Sequence, residues 1–205
     1  GGPDAADYAS DLAALIDHLK FTDVRLVGQS MGGWTVLEYA LANPAMVKAL
    51  VLSSTSGTID RRSADPSGGD RYDSWLRDAE AQIMAGLARG IHPAVGARAA
   101  ERSPSLHLLY KSIDEMAGRL DKEKLRDNLR RTARRRTSEL KDFRVPTLLL
   151  AGGRDVVFPP FLASAIAATL PCADAQEMPE SGHSPYFEDA ATFNRQVERF
   201  LALHA

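Results

Sequence analysis

The sequence predicts an α/β fold: a mostly parallel sheet with a block of helices inserted after the second strand of the chain. Three observations carry this expectation. Short β-rich apolar runs alternate with stretches of helical period near both ends of the chain. Between them, from about Gly57 to Arg144, helical periodicity continues without a convincing strand. The charge changes over the same stretch: residues 57–141 hold 18 Lys+Arg against 13 Asp+Glu, and the remainder 7 against 14.

In order along the chain, Tyr8, Leu12, Leu15, Ile16 and Leu19 recur at helical spacing and predict an amphipathic helix of about three turns. Val24 to Gly28 reads as a strand, Met31 to Ala42 as a helix ended by Asn43-Pro44, and Lys48 to Ser53 as a second strand. Strand, helix, strand within about 30 residues is a βαβ unit, which implies parallel pairing and a right-handed crossover. A polar loop at Ser63 to Asp70 opens the inserted block. It is followed by helical patterns at Leu76/Ala79/Ile83/Leu87 and Leu106/Leu109/Ile113/Met116/Leu120, then by a charged helix from about Lys122 to Leu140. Pro146 to Ala151 is a buried-strand run, Phe161 to Leu170 a helix and Ala173 to Met178 a short strand. Phe193, Val197, Phe200 and Leu201 form the buried stripe of a last helix. The expected division is a core of residues 1–56 and 145–205 with a helical lid at 57–144, and no internal repeat is visible.

Composition narrows the function. A chain of 205 residues with 44% apolar content and a net charge of -2 has the means to bury a core and is not a disordered segment. It lacks the basic surplus of a nucleic-acid binder. No apolar run reaches the roughly 20 residues that span a bilayer. Cys172 is the single cysteine, so no intrachain disulfide forms, in keeping with a reducing cytoplasm. Beside Pro171 it reads as a small buried residue. The chain opens Gly-Gly-Pro-Asp without a Met, which points to processing or to a missing beginning.

The segment Leu26-Val27-Gly28-Gln29-Ser30-Met31-Gly32-Gly33 fits G-x-S-x-G between a strand and a helix. A sharp strand-to-helix turn forces its central residue into a strained conformation, and Gly28 and Gly32 are expected to supply the room. The helix that follows aims free N–H groups and its positive end at the place where an oxyanion would form. The plainer alternative is a serine cap on a helix with glycines for packing. A serine nucleophile needs a base and an acid to orient it. Of the five histidines, only His183 sits in a Gly-rich loop after a late strand, in Glu180-Ser181-Gly182-His183-Ser184-Pro185. Asp155, just past the buried run in Gly152-Gly153-Arg154-Asp155, is the expected acid, with Asp60 as its rival and a plain turn aspartate as its alternative role.

These three motifs, in the order Ser30, Asp155, His183, resemble the α/β-hydrolase family, and the chain looks like a lidded member of it. The resemblance covers residues 1–57 and 145–205, whereas the lid carries no signature. It implies that Ser30 attacks a carbonyl, that His183 is general base and then general acid, that Asp155 holds the imidazole, and that the Met31 backbone N–H donates to the oxyanion. It also excludes the relatives that use an aspartate nucleophile. No cofactor is implied, and no residue cluster has metal-ligand spacing.

The chain departs from the family at its front. Members carry about four strands before the nucleophile helix, and a His-Gly loop that gives a second oxyanion donor; no His here is followed by Gly. Val24 to Gly28 is therefore expected to become an apolar edge strand. Loss of one donor would cost on the order of 10² to 10³ in rate. The expectation is that a complementing N-terminal segment, a second polypeptide or a homo-oligomer completes the sheet. Arg130-Arg131 and Arg134-Arg135-Arg136 read first as a solvated face, and more sharply as an attractor of an anionic substrate or an acidic partner surface. Trp34, Met31 and Phe158 are candidates to line the acyl pocket, with a core role as the alternative.

The expected function is a serine hydrolase acting on an ester, lactone or activated carbonyl of a small molecule. Carboxylesterase, lactonase, carbon–carbon hydrolase, perhydrolase and acyltransferase chemistry all stay open. So do a ligand-binding receptor on the same fold and an inactive fragment of a longer hydrolase.

Overall fold

A computed structural model describes residues 4–116 and 121–204. Asp4 starts helix α1 (Ala5–His18): its carboxylate accepts from the N–H groups of Ala6 and Asp7, and Asp7 reaches back to the Asp4 N–H in a capping box. Strand β1 (Val24–Gln29), helix α2 (Gly32–Ala42) and strand β2 (Val47–Ser53) form the expected βαβ unit, with a 3₁₀ turn at Pro44–Met46 where Pro44 stops the helix. Beyond β2 come α3 (Arg61–Ala64), α4 (Asp70–Ala88), α5 (Ala97–Arg102), α6 (Pro104–Met116) and α7 (Lys122–Thr132). The chain then returns to β3 (Thr147–Gly152), α8 (Phe161–Ala167), β4 (Ala173–Met178), a short α9 (Pro185–Glu188) and α10 (Ala190–Leu203).

The four strands form one parallel sheet in the order β1-β2-β3-β4. Parallel strands in the middle of such a sheet are covered on both faces, and β2 and β3 show it. Leu50, Leu52, Leu149 and Ala151 point to the face covered by α2 and α8, where Leu37, Leu162 and Ile166 are buried. Ala49, Val51, Leu148 and Leu150 point to the opposite face against Phe193, Val197 and Phe200 of α10. Each fully buried Leu or Ile contributes about 1.5–3 kcal/mol of transfer free energy, so this three-layer packing carries the fold.

All four strands run the same way, so their C-terminal ends share one edge of the sheet, where ligands gather in open α/β folds. Ser30 follows β1, the inserted helices leave after β2, Asp155 follows β3 and His183 follows β4. None of the described residues in 57–144 joins the sheet; among them the β contact is an isolated bridge between Ile59 and Arg135.

Several expectations are corrected. The charged helix does not run to Leu140: α7 ends at Thr132, and a 3₁₀ turn covers Thr137–Leu140. Between them, Arg135 donates its N–H to Thr58 O and accepts from Asp60 N–H, while its guanidinium takes both oxygens of Glu38 at 2.8 and 3.0 Å. Tertiary pairing overrides the helix propensity of an arginine run. In α1 the stripe is partly open: Ile16 is buried, but Leu15 and Leu19 are about half exposed (52% and 48%). Cys172 is exposed in the turn before β4 rather than buried. Leu120 of the expected stripe lies outside the described residues. Among the described residues β1 pairs with β2 alone and so forms an edge of the sheet, with Val27 exposed along it. Among the described residues no helix is long and apolar enough to cross a membrane.

Candidate active site

Ser30 sits at the turn between β1 and α2 with φ +50°, a left-handed conformation that costs a non-glycine residue about 1–3 kcal/mol. The turn is pinned on both sides: Ser30 N–H donates to Ser53 O at 2.9 Å, and Gly33 N–H donates to Ser30 O at 3.1 Å. A Cβ at Gly28 would lie 2.4 Å from Val36 Cγ2 and 2.8 Å from Gly32 O, so this glycine is required by close approach. The expected partner role of Gly32 is corrected. A Cβ there meets nothing within 4 Å, whereas one at Gly33 would meet Thr55 Cγ2 at 2.2 Å; the tight position is one residue later. Met31 is the N-cap residue of α2, at the end where backbone N–H groups lack intrahelical acceptors.

Asp155 is 3% exposed, and its two oxygens have different partners. Oδ1 accepts from the N–H groups of Val157 (2.7 Å) and Phe158 (2.9 Å), the turn role weighed from the sequence. Oδ2 lies 2.8 Å from His183 Nδ1. The loop approaches the histidine loop because Gly152 permits it: a Cβ there would fall 1.9 Å from Gly182 O and 2.6 Å from Ser181 O. Arg154 N–H donates to Ser181 O at 2.9 Å and fastens the two loops together. Gly152→Ala is therefore expected to lower stability by about 2–4 kcal/mol and activity about a hundredfold, read from urea unfolding and ester turnover.

His183 is 5% exposed, and its Nε2 is 2.8 Å from Ser30 Oγ. An ionised aspartate only accepts, so Nδ1 carries the proton toward Asp155 and Nε2 accepts from the serine hydroxyl. Two residues that position this loop were not identified from the sequence. Gln29 Nε2 donates to His183 O at 2.8 Å, tying the end of β1 to the histidine. Glu188 accepts from Gly182 N–H at 2.7 Å and Ser184 N–H at 3.1 Å, gripping the chain on either side of His183. The recognisable signal for Glu188 was a carboxylate a short helical turn beyond Ser184-Pro185, able to reach back to the loop.

Burial pushes the Glu188 carboxyl above its ordinary value, against the pull of N–H groups of Gly182, Ser184 and Gly96. The unfolded chain loses this proton at lower pH than the native one. The associated stability is thus fully present below about pH 4.5 and is lost as pH rises through the raised native value. In Glu188→Gln the side chain does not titrate. The urea midpoint of the wild type minus that of the variant should fall across this window and then level, while the variant's turnover drops about tenfold as His183 loosens.

A cavity of about 310 Å³ opens on Ser30, lined among others by Met31, Trp34, Asp60, Arg61, Tyr72 and Val157, with Arg126 and Arg130 of α7 also on its wall. Trp34, itself buried, and Met31 both border this cavity. Phe158 does not: it is 1% exposed within the core, and its neighbour Val157 takes the wall position. Asp60, the rival acid, caps α3 by accepting from Arg62 and Ser63 N–H groups at 3.2 and 3.3 Å. Of the basic run, Arg130, Arg131, Arg134 and Arg136 are exposed, as a solvated face requires, while Arg135 is half-buried and paired with Glu38, and Arg130 also borders the cavity. Among the described residues no three His, Cys, Asp or Glu side chains are grouped to hold a metal.

A four-stranded parallel sheet thus carries Ser30, His183 and Asp155, joined by hydrogen bonds, on three loops at its C-terminal edge. The sequence pattern of the alpha/beta hydrolase family matches residues 1–196, and the chain belongs to that family. BpoC of Mycobacterium tuberculosis is 29% identical over 206 residues, covering 94% of this chain and 73% of that protein. Its crystal structure matches with a TM-score of 0.71 at 25% identity, over 100% of this chain and 76% of that one. A 2-hydroxy-6-oxononadienedioate/2-hydroxy-6-oxononatrienedioate hydrolase of Paraburkholderia xenovorans is 28% identical over 208 residues, 95% of this chain and 67% of that protein. A thermophilic esterase of Thermogutta terrifontis shares the fold, with a TM-score of 0.67 at 24% identity over 100% of this chain and 75% of that one.

Proposed function

We propose that the chain is a serine hydrolase that cleaves an ester, lactone or comparable activated carbonyl of a small molecule through an acyl-enzyme. The observation that supports this reading is the continuous hydrogen-bonded chain Ser30 Oγ to His183 Nε2 and His183 Nδ1 to Asp155 Oδ2, each link 2.8 Å.

Ser30 Oγ attacks the carbonyl carbon as its proton passes to His183 Nε2, and the negative charge on the carbonyl oxygen faces the Met31 N–H at the start of α2. Asp155 holds the Nδ1 proton and stabilises the imidazolium. His183 then returns the proton to the leaving oxygen, the carbon–oxygen bond breaks and the acyl group stays on Ser30. Water, deprotonated by the same histidine, releases the acid and restores the serine. Activation comes from side chains and backbone, and the reading calls on no cofactor. The outer edge of β1, with Val27 exposed along it, is read as the place where a complementing strand or a second copy of the chain would complete the sheet.

The test is pre-steady-state. Mixed with 4-nitrophenyl acetate, the protein should release a burst of nitrophenol equal to its own concentration, followed by steady turnover, with both absent from Ser30→Ala. Equal release by the two proteins would sink the reading. A single stoichiometric release with no turnover would favour a ligand-binding receptor on this fold.

A further inference from the structure

The wall of the Ser30 cavity contains four arginines, Arg61, Arg62, Arg126 and Arg130, and a single carboxylate, Asp60. The cations are not equivalent. Arg62 is paired with Asp73 at 2.7 Å, and exposed Arg130 lies 3.3 Å from Asp127. Arg61 has no carboxylate partner within 4 Å among the described residues. It is partly buried at the start of α3 and held on three sides by neutral groups. Its Nη1 donates to Val157 O at 3.0 Å, its guanidinium lies over the Phe158 ring at 5.4 Å, and the Tyr72 hydroxyl lies against it. The Asp155 carboxylate acts on it through its charge, but its oxygens are spent on His183 and two backbone N–H groups.

A cation taken out of water without a directly paired carboxylate is costly, and burial pushes the Arg61 pKa down. The bonds to the Val157 carbonyl and the Tyr72 hydroxyl use two of its five N–H donors. The remaining fork matches a planar carboxylate, and it borders the same cavity as the Ser30 hydroxyl. We propose that the substrate carries a free carboxylate besides the carbonyl that is attacked, and that Arg61 receives this carboxylate while Arg126 and Arg130, on the inserted helix α7, draw it inward. This rests on the hydrolase reading of Ser30 and narrows its substrate class to acidic molecules small enough for a cavity of about 310 Å³. It also accounts for the basic character of the insert, because a positive rim over a cleft raises the local concentration of anions.

The experiment compares two esters of similar size, neutral 4-nitrophenyl butyrate and the mono-4-nitrophenyl ester of glutaric acid, with wild type, Arg61→Gln, Arg61→Lys and Arg126→Gln. The ratio of kcat/KM for the acidic over the neutral ester should exceed about tenfold in the wild type and fall at least about tenfold in Arg61→Gln. Arg61→Lys, which keeps the charge without the fork, should recover part of the ratio. Arg126→Gln should lower it a fewfold, and it serves as the readout if Arg61→Gln fails to fold. A wild-type ratio near one, or an equal ratio in the wild type and these variants, overturns the proposal. If neither ester gives Ser30-dependent release, the hydrolase reading fails on its own, and the anion site is then judged by calorimetry of glutarate on Ser30→Ala. Binding lost in Ser30→Ala/Arg61→Gln upholds the site, and no binding to Ser30→Ala removes it.

Discussion

Ser30→Ala is expected to lower kcat for an activated ester by about 10⁴ to 10⁶-fold while leaving the folded structure in place. The size follows from the role proposed for the hydroxyl: without it the covalent route is lost, and only cavity binding and the α2 N-terminus remain to favour reaction with water. The structure makes this a clean substitution. Alanine keeps the Cβ and accepts the same φ of +50°, and both backbone bonds that pin the turn, to Ser53 O and from Gly33 N–H, are untouched. Thermal stability should therefore move by less than about 1 kcal/mol. His183→Ala should cost a similar factor, and the double variant little more than either single one, because the two side chains act as one unit. Additive losses in the double variant would mean that the 2.8 Å contact is not the route of the proton.

The residues of the candidate site were more legible in the sequence than their surroundings. Ser30, Asp155 and His183 were visible because each lies where a strand run meets a Gly-rich break, and a parallel sheet sends all such breaks to one edge. What sets the loops relative to each other was not legible, because it consists of contacts between distant segments. Gly152 is required by Gly182 O, 30 residues on, and Gly182 in turn packs on Gly96 of the insert, where a Cβ would fall 2.6 Å from Gly96 Cα. Gln29 and Glu188 look like ordinary polar residues until the backbone groups they reach are placed beside them. The insert misled for a related reason. An arginine run has helical propensity, but the strand-like pairing of Arg135 with Thr58 and Asp60 and its ion pair with Glu38 are decided by tertiary placement. Phe158 illustrates the limit of reading a pocket from neighbours in sequence: adjacent side chains point apart, so Val157 faces the cavity and Phe158 the core.

Asp155→Asn should cut kcat by about 10³ to 10⁴-fold, with the loop conformation kept. An amide oxygen in the place of Oδ1 still accepts from Val157 and Phe158 N–H groups, which fixes the orientation of the side chain. The amide NH₂ must then occupy the Oδ2 position, 2.8 Å from His183 Nδ1. A donor facing Nδ1 selects the tautomer with its proton on Nε2, and that nitrogen no longer accepts from Ser30. The loss comes from a misplaced proton rather than from unfolding, so urea unfolding should stay close to wild type while turnover collapses. Asp60→Asn is the comparator. Asparagine caps a helix about as well as aspartate, so α3 should survive and turnover change only a fewfold. The reverse pattern, full activity in Asp155→Asn and collapse in Asp60→Asn, would transfer the acid role to Asp60. The same substitution also bears on Arg61, whose charge the Asp155 carboxylate helps to sustain. With that negative charge gone, Arg61 should hold an anion more tightly. In Asp155→Asn the KM for the acidic ester should therefore fall relative to that for the neutral one, even as kcat drops for both.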